Sequence, residues 1–164
     1  MTFDQPLTTE ERATNHDTWT HIHQVQTYLI EVADDILQRC LTHDQSKLRA
    51  PEVSTFTEYS PRLKTAEYGS PEYKQFLVDM KPALENHYAM NSHHPEHHSD
   101  GVDGMTLMDV LEMLVDWLAS TKRTKNGNIY KSIELQKERF DIDPQLLNIM
   151  KNTIRKLHPE IEEK

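Results

Sequence analysis

Leu107-Met108-Asp109-Val110-Leu111-Glu112-Met113-Leu114-Val115-Asp116-Trp117-Leu118 decides the fold class. Leu107, Val110, Leu111, Leu114, Trp117 and Leu118 recur at steps of three and four, the period of a helix packed along one face, with no two-residue alternation. Thr106 with Asp109 supplies a capped start. One acid, Asp116, stands among apolar neighbours and lies beside the stripe by helical phase. A carboxylate is rare in such surroundings unless it is paired or bound to a metal.

The same period recurs to either side. Thr8 and Glu11 form a capping box ahead of a long stripe of Trp19, Ile22, Val25, Leu29, Val32, Ile36 and Leu37, which ends near Cys40-Leu41. Cys40 reads as a core thiol. A short helix begins around His43 to Lys47. Pro51 opens a third segment carrying Val53, Phe56 and Tyr59, and Ser60-Pro61 and Tyr68-Gly69-Ser70 punctuate a loop region. Ser70-Pro71-Glu72 is a helix start. It leads into Tyr73, Phe76, Leu77, Met80, Leu84 and Tyr88, where Pro82 should kink or split the helix. Lys125-Asn126-Gly127-Asn128 reads as a loop with Asn128 as a cap, and Asp143-Pro144 starts the last helix. With only four glycines and no strand pattern, the chain reads as an all-α bundle of about six to seven helices. A single domain over 1–164 is expected, with C-terminal helices in 128–158 packing on a core from about 16 to 123.

Composition narrows the function. The net charge of −9 argues against a nucleic-acid polymer as the main partner, while leaving room for a nucleotide held by a few cations. No apolar run approaches a membrane span, and the N-terminus lacks the pattern of a signal peptide. One cysteine excludes an internal disulfide and a thiolate zinc cage, and a reducing cytoplasm is the simplest home.

Candidate chemistry centres on Asn91-Ser92-His93-His94-Pro95-Glu96-His97-His98, which holds four of the ten histidines. His87, Asn91 and His94 share one face if the preceding helix continues, and His93 would then point about 100° away. These residues are candidates for a second metal or for phosphate, with Glu96 as a candidate base. Pro95 ends the helix, so His97 and His98 read as loop residues. His43 and Asp44 can both reach one ion. Among the upstream histidines, His21 lies roughly 80° from the centre of the long stripe and His23 roughly 120°, which favours His21 as an inward ligand. Lys47 follows as a phosphate-neutralising cation. Lys122 and Arg123 are weaker candidates for substrate contact.

The order His21, His43-Asp44, His87, His93-His94, Asp116 resembles the HD-domain superfamily of metal-dependent phosphohydrolases, over roughly residues 16 to 123. A closer similarity is to a small HD-like family common in phages and bacteria. Its pattern of a His four before a Val, His-Asp-x-Ser-Lys, His-x3-Asn-x-His-His and Asp-Trp is met by His21 to Val25, His43 to Lys47, His87 to His94 and Asp116-Trp117. The resemblance implies an HD-like helical bundle with His21, His43, Asp44 and Asp116 as metal ligands. The tract His93-His94-Pro95-Glu96-His97 with Asp100-Gly101 also resembles the signature of cyclic-dinucleotide phosphodiesterases. Val102-Asp103-Gly104 stands where Gly-Tyr-Pro should follow, so that substrate is not carried over.

The function expected is a phosphohydrolase acting on a nucleotide or related small phosphoester, in the cytoplasm of a bacterium or phage-infected host. It would use one or two divalent ions, with Mn, Fe, Co, Ni and Zn all compatible with imidazole and carboxylate donors. Asp44, Lys47 and Glu96 are the candidate catalytic groups. Two alternatives are an HD-like di-iron oxygenase and a non-catalytic phage accessory protein that retains the fold. Oligomeric state is left open, including a homo-oligomer.

Overall fold

The computed structural model describes residues 6–66, 70–123 and 127–163. Among them are seven α-helices and no strand: α1 (Thr9–Thr42), α2 (Glu52–Thr65), α3 (Pro71–Asp79), α4 (Lys81–Met90), α5 (Leu107–Thr121), α6 (Ile129–Phe140) and α7 (Pro144–Leu157). Short 3-10 turns lie at Gln45–Leu48, Pro95–His97 and Gly101–Gly104. No helix is long and apolar enough to cross a membrane. The chain divides into two units between Leu41 and Thr42.

The first unit is α1. Its start is the expected box: Glu11 N–H donates to Thr8 Oγ1 and Thr8 N–H to Glu11 Oε2. The helix then runs unbroken for 34 residues. Taken by itself, this unit leaves its apolar stripe uncovered, with no α1 residue buried. Trp19, Leu29 and Leu37 are more than half exposed. Cys40 is likewise exposed rather than a core thiol. Amphipathic periodicity specifies a helix and a face, but not what covers that face.

In the second unit the helix boundaries follow local chemistry. Ser70 accepts from Tyr73 N–H to start α3, and Pro82 in the first turn of α4 separates it from α3, as its missing N–H requires. Pro61 instead lies inside α2, where a loop was expected. An interior proline removes one backbone donor, and the rest of α2 continues around it. The loops expected at Tyr68-Gly69 and Lys125-Asn126 lie outside the described residues. Asn128 and Asp143 cap α6 and α7 as read from sequence.

The core is built from α5, α6 and α7. Met113, Leu114, Trp117 and Leu118 meet Ile129, Tyr130, Ile133, Ile142, Leu147, Met150 and Ile154. Trp117 stacks on Phe140 with ring centroids 6.4 Å apart and planes 4° from parallel. Packing α5 this way turns a second stripe, Asp109, Glu112 and Asp116 at spacings of three and four, away from the core centre.

Candidate metal centre

His43 and Asp44 lie just past the end of α1. Asp44 has φ 56°, in the left-handed region that Asp and Asn enter more readily than other non-glycine residues. The 3-10 turn that follows brings Lys47 back, with Nζ 2.6 Å from Asp44 Oδ2 and 5.3 Å from the Phe56 ring centre. On α5, Asp116 Oδ1 is 3.8 Å from His43 Nε2, which is also 3.6 Å from Asp44 Oδ2. His43, Asp44 and Asp116 therefore offer one ligand atom each to a common point.

A second group gathers on the other oxygen of Asp44. Its Oδ1 lies 3.3 Å from His87 Nε2 and 3.7 Å from His93 Nε2, and His94 completes a set of four donors with them. His87 and His94 face each other Nε2 to Nε2 at 2.9 Å. Two imidazole nitrogens at that separation must either share a proton or direct lone pairs at one ion. His93, one of the candidates for this second site, departs only from the direction expected by helical phase. Its ring does not turn away but is 1 % exposed at the centre of the cluster. The reason is that α4 ends at Met90 and Asn91 is extended, so helical phase no longer applies beyond it.

The far nitrogens explain why the Nε2 edges converge. His87 Nδ1 donates to Glu52 Oε2 at 3.0 Å. Glu52 is fully buried and also accepts from Ser46 Oγ at 3.1 Å and Asn86 Nδ2 at 2.7 Å. Asn91, expected at the metal or phosphate, gives its amide N–H groups to His87 O at 2.7 Å and Ser46 Oγ at 2.9 Å. It braces the network from behind. His43 Nδ1 and His93 Nδ1 lie 2.8 and 3.1 Å from the same atom, Glu112 Oε1. Such carboxylate–imidazole contacts fix the tautomer that leaves Nε2 free to bind a metal.

The residues present fit a divalent cation. Two buried polar atoms lack any hydrogen-bond partner at the centre of the cluster, Asp44 Oδ1 and His93 Nε2. Each is a lone-pair donor, and they are 3.7 Å apart. Charge states agree with that role. Burial acts to raise the Asp44 carboxyl, but the nearness of His87 and the charge of Lys47 outweigh it and hold the group far below the usual carboxylate range. Burial lowers His93 despite the opposing charge of Glu112. Burial, with His93 and His87 alongside, takes His94 down to about 2, so its imidazole is neutral at ordinary pH.

Other expected residues lie elsewhere. His21 is exposed on α1 and belongs to none of the candidate ligand groups among the described residues. Glu96 pairs with Arg139 of α6 at 2.7 Å and belongs to none of the candidate ligand groups among the described residues. Lys122 and Arg123 are exposed past the end of α5, where the charge of Lys122 acts on Glu160. His97 and His98 hold the loop: their rings bond to Tyr88 O and Ser92 O, both at 2.8 Å.

Sequence reading missed Glu52 and Glu112. Glu112 carried a signal, standing four residues before Asp116 and so on the same helical face. Glu52, after a proline at a helix start, looks like an ordinary first-turn acid.

No curated protein and no solved structure matches the chain. A family model described as a family of unknown function, DUF5662, matches residues 10–156, a span that contains His43, Asp44, His87, His93, His94, Glu112 and Asp116. The chain therefore belongs to the DUF5662 family.

Proposed function

We propose that the protein is a divalent-metal-dependent phosphohydrolase acting on a nucleotide or related small phosphoester in the cytoplasm of a bacterium or phage-infected host. The observation that carries this reading is the two-sided cluster on Asp44, with His43 and Asp116 towards Oδ2 and His87, His93 and His94 around Oδ1. Its composition, histidine and carboxylate without sulfur, suits a first-row divalent ion, and its resemblance to the HD-domain pattern points to phosphate chemistry. A cation held there supplies Lewis acidity towards a phosphoryl oxygen and lowers the pKa of water.

The chain's own groups divide the remaining work. Asp44 and the Nε2 atoms supply the ligands, Glu52 and Glu112 fix their direction, and Lys47 brings the positive charge a phosphate needs. The aromatic face of Phe56 keeps that ammonium at the cluster. The three imidazoles around Oδ1 also favour a second reading, a di-iron oxygenase, because imidazole-rich sites suit iron.

The test is metal content of the purified chain, followed by hydrolysis of a nucleotide and phosphodiester panel with Mn²⁺ or Co²⁺, comparing wild type with Asp44→Asn. Asparagine suits the left-handed backbone at this position, so the variant keeps the fold while removing the shared carboxylate. Hydrolysis that falls at least a hundredfold in Asp44→Asn supports the proposal, and equal hydrolysis by the two proteins sinks it. Two bound irons with an oxygen-dependent optical band would move the assignment to the oxygenase. Absence of bound metal under all loading conditions would overturn both.

A further inference from the structure

We infer that Glu112 is a positioning residue that sets the two sides of the Asp44 cluster together, so that the occupancy of each depends on one carboxylate. The inference rests on the metal-binding part of the reading above, but not on hydrolysis.

The geometry is specific. One oxygen of Glu112 meets His43 Nδ1 at 2.8 Å and His93 Nδ1 at 3.1 Å. His43 belongs to the ligand group on Asp44 Oδ2, and His93 to the group on Oδ1. The two rings are neighbours, with centroids 4.7 Å apart. An oxygen that accepts from both Nδ1 atoms requires a proton on each, and a neutral imidazole has only one proton to place. The Nε2 lone pairs of both rings are thereby directed towards Asp44 in a single step. His93 Nε2 is the buried nitrogen left without a partner, as this arrangement demands.

Glu112 can also be drawn as a ligand, since His43, His93 and Glu112 form a possible three-donor group. That alternative would use the Nδ1 edges and turn the Nε2 edges idle. It would leave His93 Nε2 and Asp44 Oδ1 unsatisfied in the interior, where an unpaired polar atom is costly. The positioning role gives each Nδ1 an acceptor and leaves each Nε2 lone pair to a cation beside Asp44.

Two measurements on the full chain test the inference. The first is ¹⁵N NMR of the imidazoles at pH 8 after chelation, in wild type and Glu112→Leu. Wild type should show His43 and His93 as the Nδ1–H tautomer, and the variant should shift both towards Nε2–H. A wild-type protein with Nε2–H on both rings overturns the inference. The second is equilibrium dialysis against Co²⁺. Loss of a supporting carboxylate typically weakens metal affinity 10- to 100-fold. Glu112→Leu should weaken binding on both sides by that factor, and Glu112→Gln, which keeps an acceptor oxygen, should lose less. Equal losses in Gln and Leu would make Glu112 a ligand and overturn the positioning role, as would Leu affinity within twofold of wild type. If Glu112→Leu does not fold, Glu112→Gln decides alone, with an affinity equal to wild type counting against the inference. A wild type that binds Co²⁺ without hydrolysing any phosphoester refutes the proposed activity and leaves this inference standing. A wild type that binds no Co²⁺ refutes both.

Discussion

Glu52→Leu should be among the most damaging single substitutions in the second unit. Glu52 is 0 % exposed and receives three donors: His87 Nδ1 at 3.0 Å, Ser46 Oγ at 3.1 Å and Asn86 Nδ2 at 2.7 Å. Leucine is of similar bulk, so the change creates no large cavity and isolates the polar loss. A buried donor left without an acceptor costs about 1–3 kcal/mol, and the bonds to Ser46 and Asn86, which are only partly buried, add less, so the three together cost about 2–6 kcal/mol. Relief from burying a carboxyl offsets part of this. The balance still falls on the destabilising side, because three donors and not one lose their acceptor. Against a typical stability of about 5–15 kcal/mol, a loss of about 4 kcal/mol is large. Glu52→Gln keeps an acceptor, and Asn86 can turn its amide to meet the new one, so its cost should be roughly 1–2 kcal/mol. Urea denaturation of the chelated proteins, read by tryptophan fluorescence and far-ultraviolet dichroism, measures both. A Glu52→Leu protein as stable as wild type would refute the reasoning. It would mean that desolvation of the carboxyl outweighs every hydrogen bond it accepts.

Three further outcomes are expected. In the chelated protein, stability should fall as pH drops below about 6.5, because the unfolded chain then protonates histidines 93 and 94 while their folded pKa values are lowered; the slope is at most about 1.4 kcal/mol per pH unit for each group, and the midpoint in urea from pH 8 to 5 should flatten in His94→Gln. Above that pH neither state binds the proton, so these groups contribute no slope there. Ile133→Ala, at a residue with no exposed surface in the α5–α6–α7 core, should cost about 2–5 kcal/mol in thermal or chemical unfolding. Arg139→Ala removes a partly exposed ion pair and should cost under about 1 kcal/mol, with Co²⁺ affinity unchanged; a large loss of metal binding would return Glu96 to the site.

How much of this was legible in the sequence depends on the range of the forces involved. Helix starts were read from local chemistry, and Thr106–Asp109, Ser70, Asn128 and Asp143 all cap as their side chains dictate. His43, Asp44, His87, His94 and Asp116 were identifiable because metal-ligating residue types stand out at short spacing or against an apolar background. His93 was named with them, but its direction was misread because a phase argument was carried past the last helical residue, Met90. Glu52 and Glu112 were missed because a carboxylate that serves an imidazole 35 or 69 residues away has no local pattern.

Asp109 gives the histidine tract its mechanical character. Its Oδ2 accepts from the Thr106 N–H and hydroxyl, and its Oδ1 accepts from Ser92 Oγ at 2.6 Å. The first turn of α5 and the segment bearing His93 and His94 are thus fastened by a single side chain. They should open as one cooperative unit rather than as a loop that flutters over a stable helix. Amide hydrogens of the tract would then exchange in step with those at the start of α5. The entropy of ordering two imidazoles is spent when that helix forms, before any cation arrives.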